Sequence, residues 1–184
     1  ALWDIKGKDL GVPVYQLLGG KVFDSVPCYA NGWFANARTP EEFGRKAEEV
    51  LKYGFEGLKW DPFGESWQTI SRSSFTRAID TIAAVKDAVR DRALLLIEGH
   101  GRFNVPTAIR IAKELEKFDV LWFEEPIPPN DFEGLAQVRR QTNVPVAAGE
   151  RICNRYQYKS LLEMGCVDYI QPDVTHVGLS ELRK

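Results

Sequence analysis

Three glutamates, Glu98, Glu124 and Glu150, recur at equal intervals of 26 residues, and each closes a short apolar run. That interval accommodates one strand, one helix and the loops between them. Strands are read over residues 26–32, 57–63, 94–100, 121–126, 144–150 and 169–173. These runs are short, apolar and mostly end in polar residues, as parallel strands do when both sheet faces are covered.

The segments between them carry helix signals. Thr39-Pro40-Glu41-Glu42 supplies a capping threonine, a proline at the first helical position and a glutamate at the third. Phe43, Ala47, Val50 and Leu51 then share one face before Gly54 stops the helix. Further helices are read over 75–89, 107–115, 131–139 and 156–164, the last stopped by Gly165. Steady alternation of strand and helix means βα units on a parallel sheet. An open nucleotide-binding sheet would show a Gly-rich loop after its first strand. Tyr29-Ala30-Asn31-Gly32-Trp33 is not one, and no GxxxxGK[ST] occurs. Charged residues close several different strands instead, which favours a (β/α)₈ barrel of the TIM type. The expected fold class is therefore α/β, a barrel incomplete at about six βα units. The chain starts at Ala1 in apparent helix and stops at Lys184 near another helix start, so both ends are expected to be cut.

Composition narrows the functional classes. With 24 Lys and Arg against 26 Asp and Glu, the net charge of −2 carries no electrostatic footprint for nucleic acid or a membrane surface. No apolar run reaches membrane-spanning length. No basic segment followed by an apolar one marks a secretory signal. Cys28, Cys153 and Cys166 are odd in number and form no CxxC, so they are expected to be buried thiols in a reducing compartment, the cytoplasm.

Three carboxylates at adjacent strand ends would repel unless a cation held them, and an all-oxygen set suits Mg²⁺ better than Zn²⁺. The plainer alternative is that they cap the following helices. His100, two residues after Glu98, is expected on the same side and is a candidate general acid or base, or else a histidine that only bonds backbone. Lys59 and Asp61 share that spacing on the second strand; Lys59 is placed to hold a substrate carboxylate, or to pair with one of the glutamates. Asp173 either orients a histidine from a later strand or caps the following helix. Arg102, Arg151 and Trp60 lie beside these positions within reach of substrate, although a solvated place is the simpler expectation for each. Trp3, Trp33, Trp67 and Trp122 read as core or rim aromatics.

The segments ALWDIKGKDLGVPVYQLLGG, GLKWDPFG, LLLIEGHGRF, LWFEEP, VPVAAGER and YIQPDVTHVG occur in this order across nearly the whole chain. In them the chain resembles the enolase superfamily, in its mandelate racemase/muconate-lactonizing branch, and within that branch the sugar-acid dehydratases. The resemblance implies a junction helix from a capping domain over 1–20 and a partial barrel over 21–184. It implies Mg²⁺ as cofactor on Glu98, Glu124 and Glu150, and Lys59 as the first lysine of a KxK motif. Asp173 then pairs with a seventh-strand histidine base, and His100 protonates the departing hydroxyl. Lys59, Asp61, His100 and Arg102 are expected to contact substrate. The implied reaction removes the proton α to the carboxylate of an aldonate or aldarate and eliminates the β-hydroxyl, leaving a 2-keto-3-deoxy acid. Asp61 stands where racemases carry a second lysine, which disfavours the epimerase alternative. An inactive, truncated barrel piece is the other alternative, and the isolated chain is expected to be inactive. Expected partners are a small sugar acid and further copies of the full-length chain, with no nucleic acid or membrane.

Overall fold

The computed structural model describes residues 1–184. Two short helices, α1 (Leu2–Leu10) and α2 (Val14–Leu17), open the chain. The sequence reads this stretch as one helix; Gly11, left-handed at φ 66°, and Pro13 divide it. The chain then alternates as β1 (Tyr29–Ala30), α3 (Pro40–Leu51), β2 (Gly57–Trp60), α4 (Arg72–Val89), β3 (Leu94–Glu98) and α5 (Val105–Leu115). It continues through β4 (Trp122–Glu124), α6 (Phe132–Arg140), β5 (Val146–Ala148), α7 (Arg155–Glu163), β6 (Tyr169–Ile170) and α8 (Val174–Leu182). The six strands form one sheet in chain order, every neighbouring pair parallel. This is six strands of a curled, incomplete α/β barrel, as the strand and helix alternation predicts.

All six expected strands are present and all are shorter than the apolar runs. Backbone turns end several of them: His100 (φ 53°) follows β3, Glu125 (φ 37°) follows β4 and Gly149 (φ 131°) follows β5. The helices start where side chains accept the free N–H groups of the first turn. The Thr39–Glu42 capping box forms in full. Ser71 caps α4, so that helix begins before residue 75; Asn104, Asp131 and Asn154 cap α5, α6 and α7.

The two sheet faces have different work. Leu58, Trp60, Leu95, Ile97, Phe123, Val146 and Ala148 join the large core beneath the helices, with Ile82, Ile111, Leu115 and Leu161. The other face buries a small separate cluster of Leu96, Trp122 and Ala147. Period-two alternation puts Lys59, Glu98 and Glu124 on that same face. Lys59 pairs in register with Leu96 and Leu96 with Trp122; one rung further, Glu98 pairs with Glu124 and Glu124 with Ala147.

Two expectations are corrected here. Only Cys166 is buried; Cys28 and Cys153 are exposed, one ahead of β1 and the other in the loop before α7. Trp60 is not solvated but is 1% exposed, because it points to the helix-covered face and packs edge-on against Trp33 at 5.4 Å. No helix is long and apolar enough to cross a membrane.

Candidate active site

Lys59 lies on β2 and is buried, with its ammonium between two carboxylates. Nζ donates to Glu124 Oε1 at 2.5 Å and meets Glu98 Oε2 at 2.9 Å. The remaining oxygens are also engaged. Glu98 Oε1 accepts from the His100 backbone N–H at 2.7 Å. Glu124 Oε2 accepts from Trp122 Nε1 and Gln171 Nε2, both at 3.0 Å. Burial by itself would lower the Lys59 pKa, but the charges and hydrogen bonds of Glu98 and Glu124 outweigh it and raise the pKa. Burial, then the charge of Glu98, raises the Glu124 pKa, against the pull of Lys59. The ion-pair alternative for Lys59 is therefore the arrangement seen, and it joins the lysine to two glutamates.

Glu150 does not complete the cluster. It is exposed in the turn after Gly149, and no group of three His, Cys, Asp or Glu side chains is close enough to hold an ion. One ammonium offsets two buried carboxylates, and a third brought alongside would add uncompensated repulsion. The expected convergence of three carboxylates thus resolves into a buried pair and a rim residue. The donor set still fits a hard cation. Glu98 and Glu124 offer only carboxylate oxygens, already gather around a positive charge, and have Glu150 on the next strand end.

A second charged group borders the first. Asp61 Oδ2 meets His100 Nδ1 and Arg102 Nη2, each at 2.6 Å, while Asp61 Oδ1 accepts from the Phe63 N–H at 2.9 Å. Arg102 also donates from Nε to the Gly99 carbonyl at 3.1 Å and from Nη1 to the Gly64 carbonyl. Its side chain is 13% exposed, which corrects the solvated expectation: three backbone and side-chain acceptors draw it in. Arg151 is more open, yet its Nε faces the buried Glu125 carboxylate at 3.3 Å and its Nη1 donates to the His100 carbonyl at 3.1 Å.

Asp173 caps α8, accepting from the Thr175 N–H at 2.7 Å and hydroxyl at 2.6 Å, and these bonds hold its carboxyl below the usual range. His176 Nδ1 reaches the Glu150 carbonyl at 2.8 Å. Trp122, read in the sequence only as a core or rim aromatic, belongs to the site, as do Gln171, Tyr29 and Glu125, which the sequence does not single out. Tyr29 lies with its ring 5.9 Å from Lys59 Nζ. The two-residue spacing from Trp122 to Glu124 was a usable signal; Gln171 and Tyr29 meet the site only through strand pairing.

Comparison with known proteins agrees with this fold. Residues 42–184 match the family model described as enolase C-terminal domain-like. The chain is 45% identical over 178 residues to a D-gluconate dehydratase of Thermoproteus tenax, covering 97% of this chain and 36% of that protein. It is 39% identical over 185 residues to a D-gluconate/D-galactonate dehydratase of Picrophilus torridus, covering 100% of this chain and 47% of that one. A crystal structure of an enolase-superfamily member from Salmonella Typhimurium superposes with a TM-score of 0.91 at 30% identity, covering 100% of this chain and 52% of that one. The chain thus spans less than half the length of these curated relatives. The family match over most of the chain, together with the parallel half-barrel and its strand-end carboxylates, places this protein in the enolase C-terminal domain-like family of the enolase superfamily.

Proposed function

We propose that this chain forms the acid-bearing half of a sugar-acid dehydratase site, acting on an aldonate such as gluconate or galactonate. The observation that carries the reading is Lys59 held between Glu98 and Glu124, with His100 beside them on the next turn of chain. The names of the dehydratase relatives support the substrate class.

The chemistry explains the parts. Removing a proton α to a carboxylate places a second negative charge on that group, so the site must supply positive charge where it develops. Lys59 does so with an ammonium that Glu98 and Glu124 keep protonated. Glu98, Glu124 and Glu150 would hold Mg²⁺, which when bound adds positive charge against the substrate carboxylate. His100 is placed to give its Nε2 proton to the β-hydroxyl as the C–O bond breaks, releasing water. Asp173, which caps α8 just past β6 through one carboxylate oxygen, would orient with its other oxygen a base supplied from outside the residues described. The enol product then tautomerises to a 2-keto-3-deoxy acid.

The test uses the longest product of the gene, incubated with D-gluconate and D-galactonate in deuterated buffer with and without Mg²⁺. Keto-acid formation dependent on Mg²⁺ is expected. His100→Asn should lower elimination by about 100-fold while deuterium still enters at the α-carbon, since acid catalysis is worth roughly 10²–10⁴. Equal loss of exchange and elimination would deny His100 a separate acid role. No keto acid from any aldonate would overturn the dehydratase reading.

A further inference from the structure

Both carboxylate oxygens of Asp61 are bonded inside the chain. Its side chain is 16% exposed, one oxygen holds the Phe63 N–H and the other is shared by His100 Nδ1 and Arg102 Nη2. A carboxylate only accepts, so the shared bond places the hydrogen of neutral His100 on Nδ1 and leaves Nε2 as the nitrogen free to face substrate. Arg102 in turn straps the loop after β2 to the loop after β3, through the Gly64 and Gly99 carbonyls. The backbone of His100 is pinned from both sides: its N–H to Glu98 and its carbonyl to Arg151, which rests on buried Glu125. That pinning holds a non-glycine residue at φ 53°, a conformation that needs support.

We infer that Asp61, clamped by Arg102, is a positioning residue that fixes the tautomer and ring direction of His100, and that it is not a substrate ligand. This rests on the reading of His100 as the proton donor to the leaving hydroxyl. It accounts for an acidic residue at the mouth of a site for anionic substrates. The Asp61 charge is spent on Arg102 and His100, so it does not repel the substrate carboxylate. The donor form is the imidazolium, with hydrogens on both nitrogens; when its Nε2 proton passes to the departing hydroxyl as the C–O bond breaks, the imidazole is left neutral with Nδ1–H still bonded to Asp61. Proton and charge balance, with water as the leaving product.

Two measurements separate this proposal from the function it rests on. The chain has two histidines, His100 and His176, so ¹⁵N-histidine spectra of the full 184-residue chain resolve both imidazoles, assigned by His100→Asn and His176→Asn. In its neutral form, His100 is expected as the Nδ1–H tautomer. Asp61→Ala should move it to Nε2–H and leave His176, bonded to a backbone carbonyl, unchanged. An unchanged His100 tautomer would overturn the proposal whether or not any sugar acid is turned over. Asp61→Asn, which keeps the shape, is measured alongside and should fall between the two. In the longest gene product, Asp61→Ala should lower kcat for elimination about 100-fold with KM within a few-fold and α-deuterium exchange retained, as expected for a misplaced acid. A large rise in KM, with exchange and elimination falling together, would make Asp61 a substrate ligand and sink the idea. Absence of both reactions in the wild type would instead remove the dehydratase reading, and the tautomer result would still decide the Asp61–His100 pair.

Discussion

At the scale of single residues, the mouth of the half-barrel is a problem of buried charge. Lys59, Glu98 and Glu124 are each no more than 7% exposed and are stable only as a set. Lys59→Met would leave two carboxylates side by side without their cation, and removing one partner of a buried ion pair costs about 3–5 kcal/mol. Urea denaturation should show a loss of that order, and adding Glu124→Gln to the same chain should recover part of it. Glu125 gives a pH signature of opposite character. Burial, partly offset by Arg151, raises its pKa above the ordinary 4.5. Between 4.5 and the raised value the folded chain binds more protons than the unfolded one, so stability falls as pH rises through that window. Glu125→Gln removes this loss. Its stability relative to wild type should therefore climb from pH about 4 to neutrality, measured by urea titrations at each pH. A flat difference would mean that the Arg151 pair fully offsets the cost of burial.

At the scale of elements, register does what side-chain chemistry alone cannot. Glu98 and Glu124 meet because β3 and β4 pair them directly, and Lys59 reaches both from one rung below on β2. The opposite face of the same strands carries the packing. Ile97→Ala, at a fully buried position, should cost about 2–5 kcal/mol. Leu94→Ala, at the half-exposed start of the same strand, should stay within about 1 kcal/mol. Equal losses in thermal or urea unfolding would contradict the division of labour between the two ends of β3. The close approach of the loops after β3 and β4 also depends on a small residue: a Cβ at Gly99 would lie 2.7 Å from the Glu125 carbonyl, which accepts the Gly101 N–H. Local signals read α3 well, because the Thr39 cap acts within one turn, whereas α4 and α5 begin earlier than read, at the unread caps Ser71 and Asn104. Local signals read strand lengths poorly, because a strand ends where its neighbour's pairing ends.

At the scale of the whole molecule, one sheet with helices over one face carries nearly all the burial. The first 20 residues contribute little: only Gly7 is buried in α1 and nothing in α2, and Trp3 reaches α8 by a single hydrogen bond to Ser180. Removing residues 1–20 should therefore change the unfolding free energy by about 1 kcal/mol or less, read from urea midpoints. The α/β class, the order of the elements and the positions of Glu98 and Glu124 at the ends of β3 and β4 were determined by the sequence itself. They follow from local periodicity, capping and a constant interval, all of which act over one βα unit. The partners of each charge were decided only by the tertiary structure. That Lys59 neutralises Glu98 and Glu124 together, that Glu150 stays at the rim, that Trp60 turns into the core and that Asp61 is shared between His100 and Arg102 all depend on contacts across different strands. Electrostatic balance is settled among groups far apart in the chain and close in space, and no local pattern of residues encodes which of several nearby carboxylates a given cation will choose.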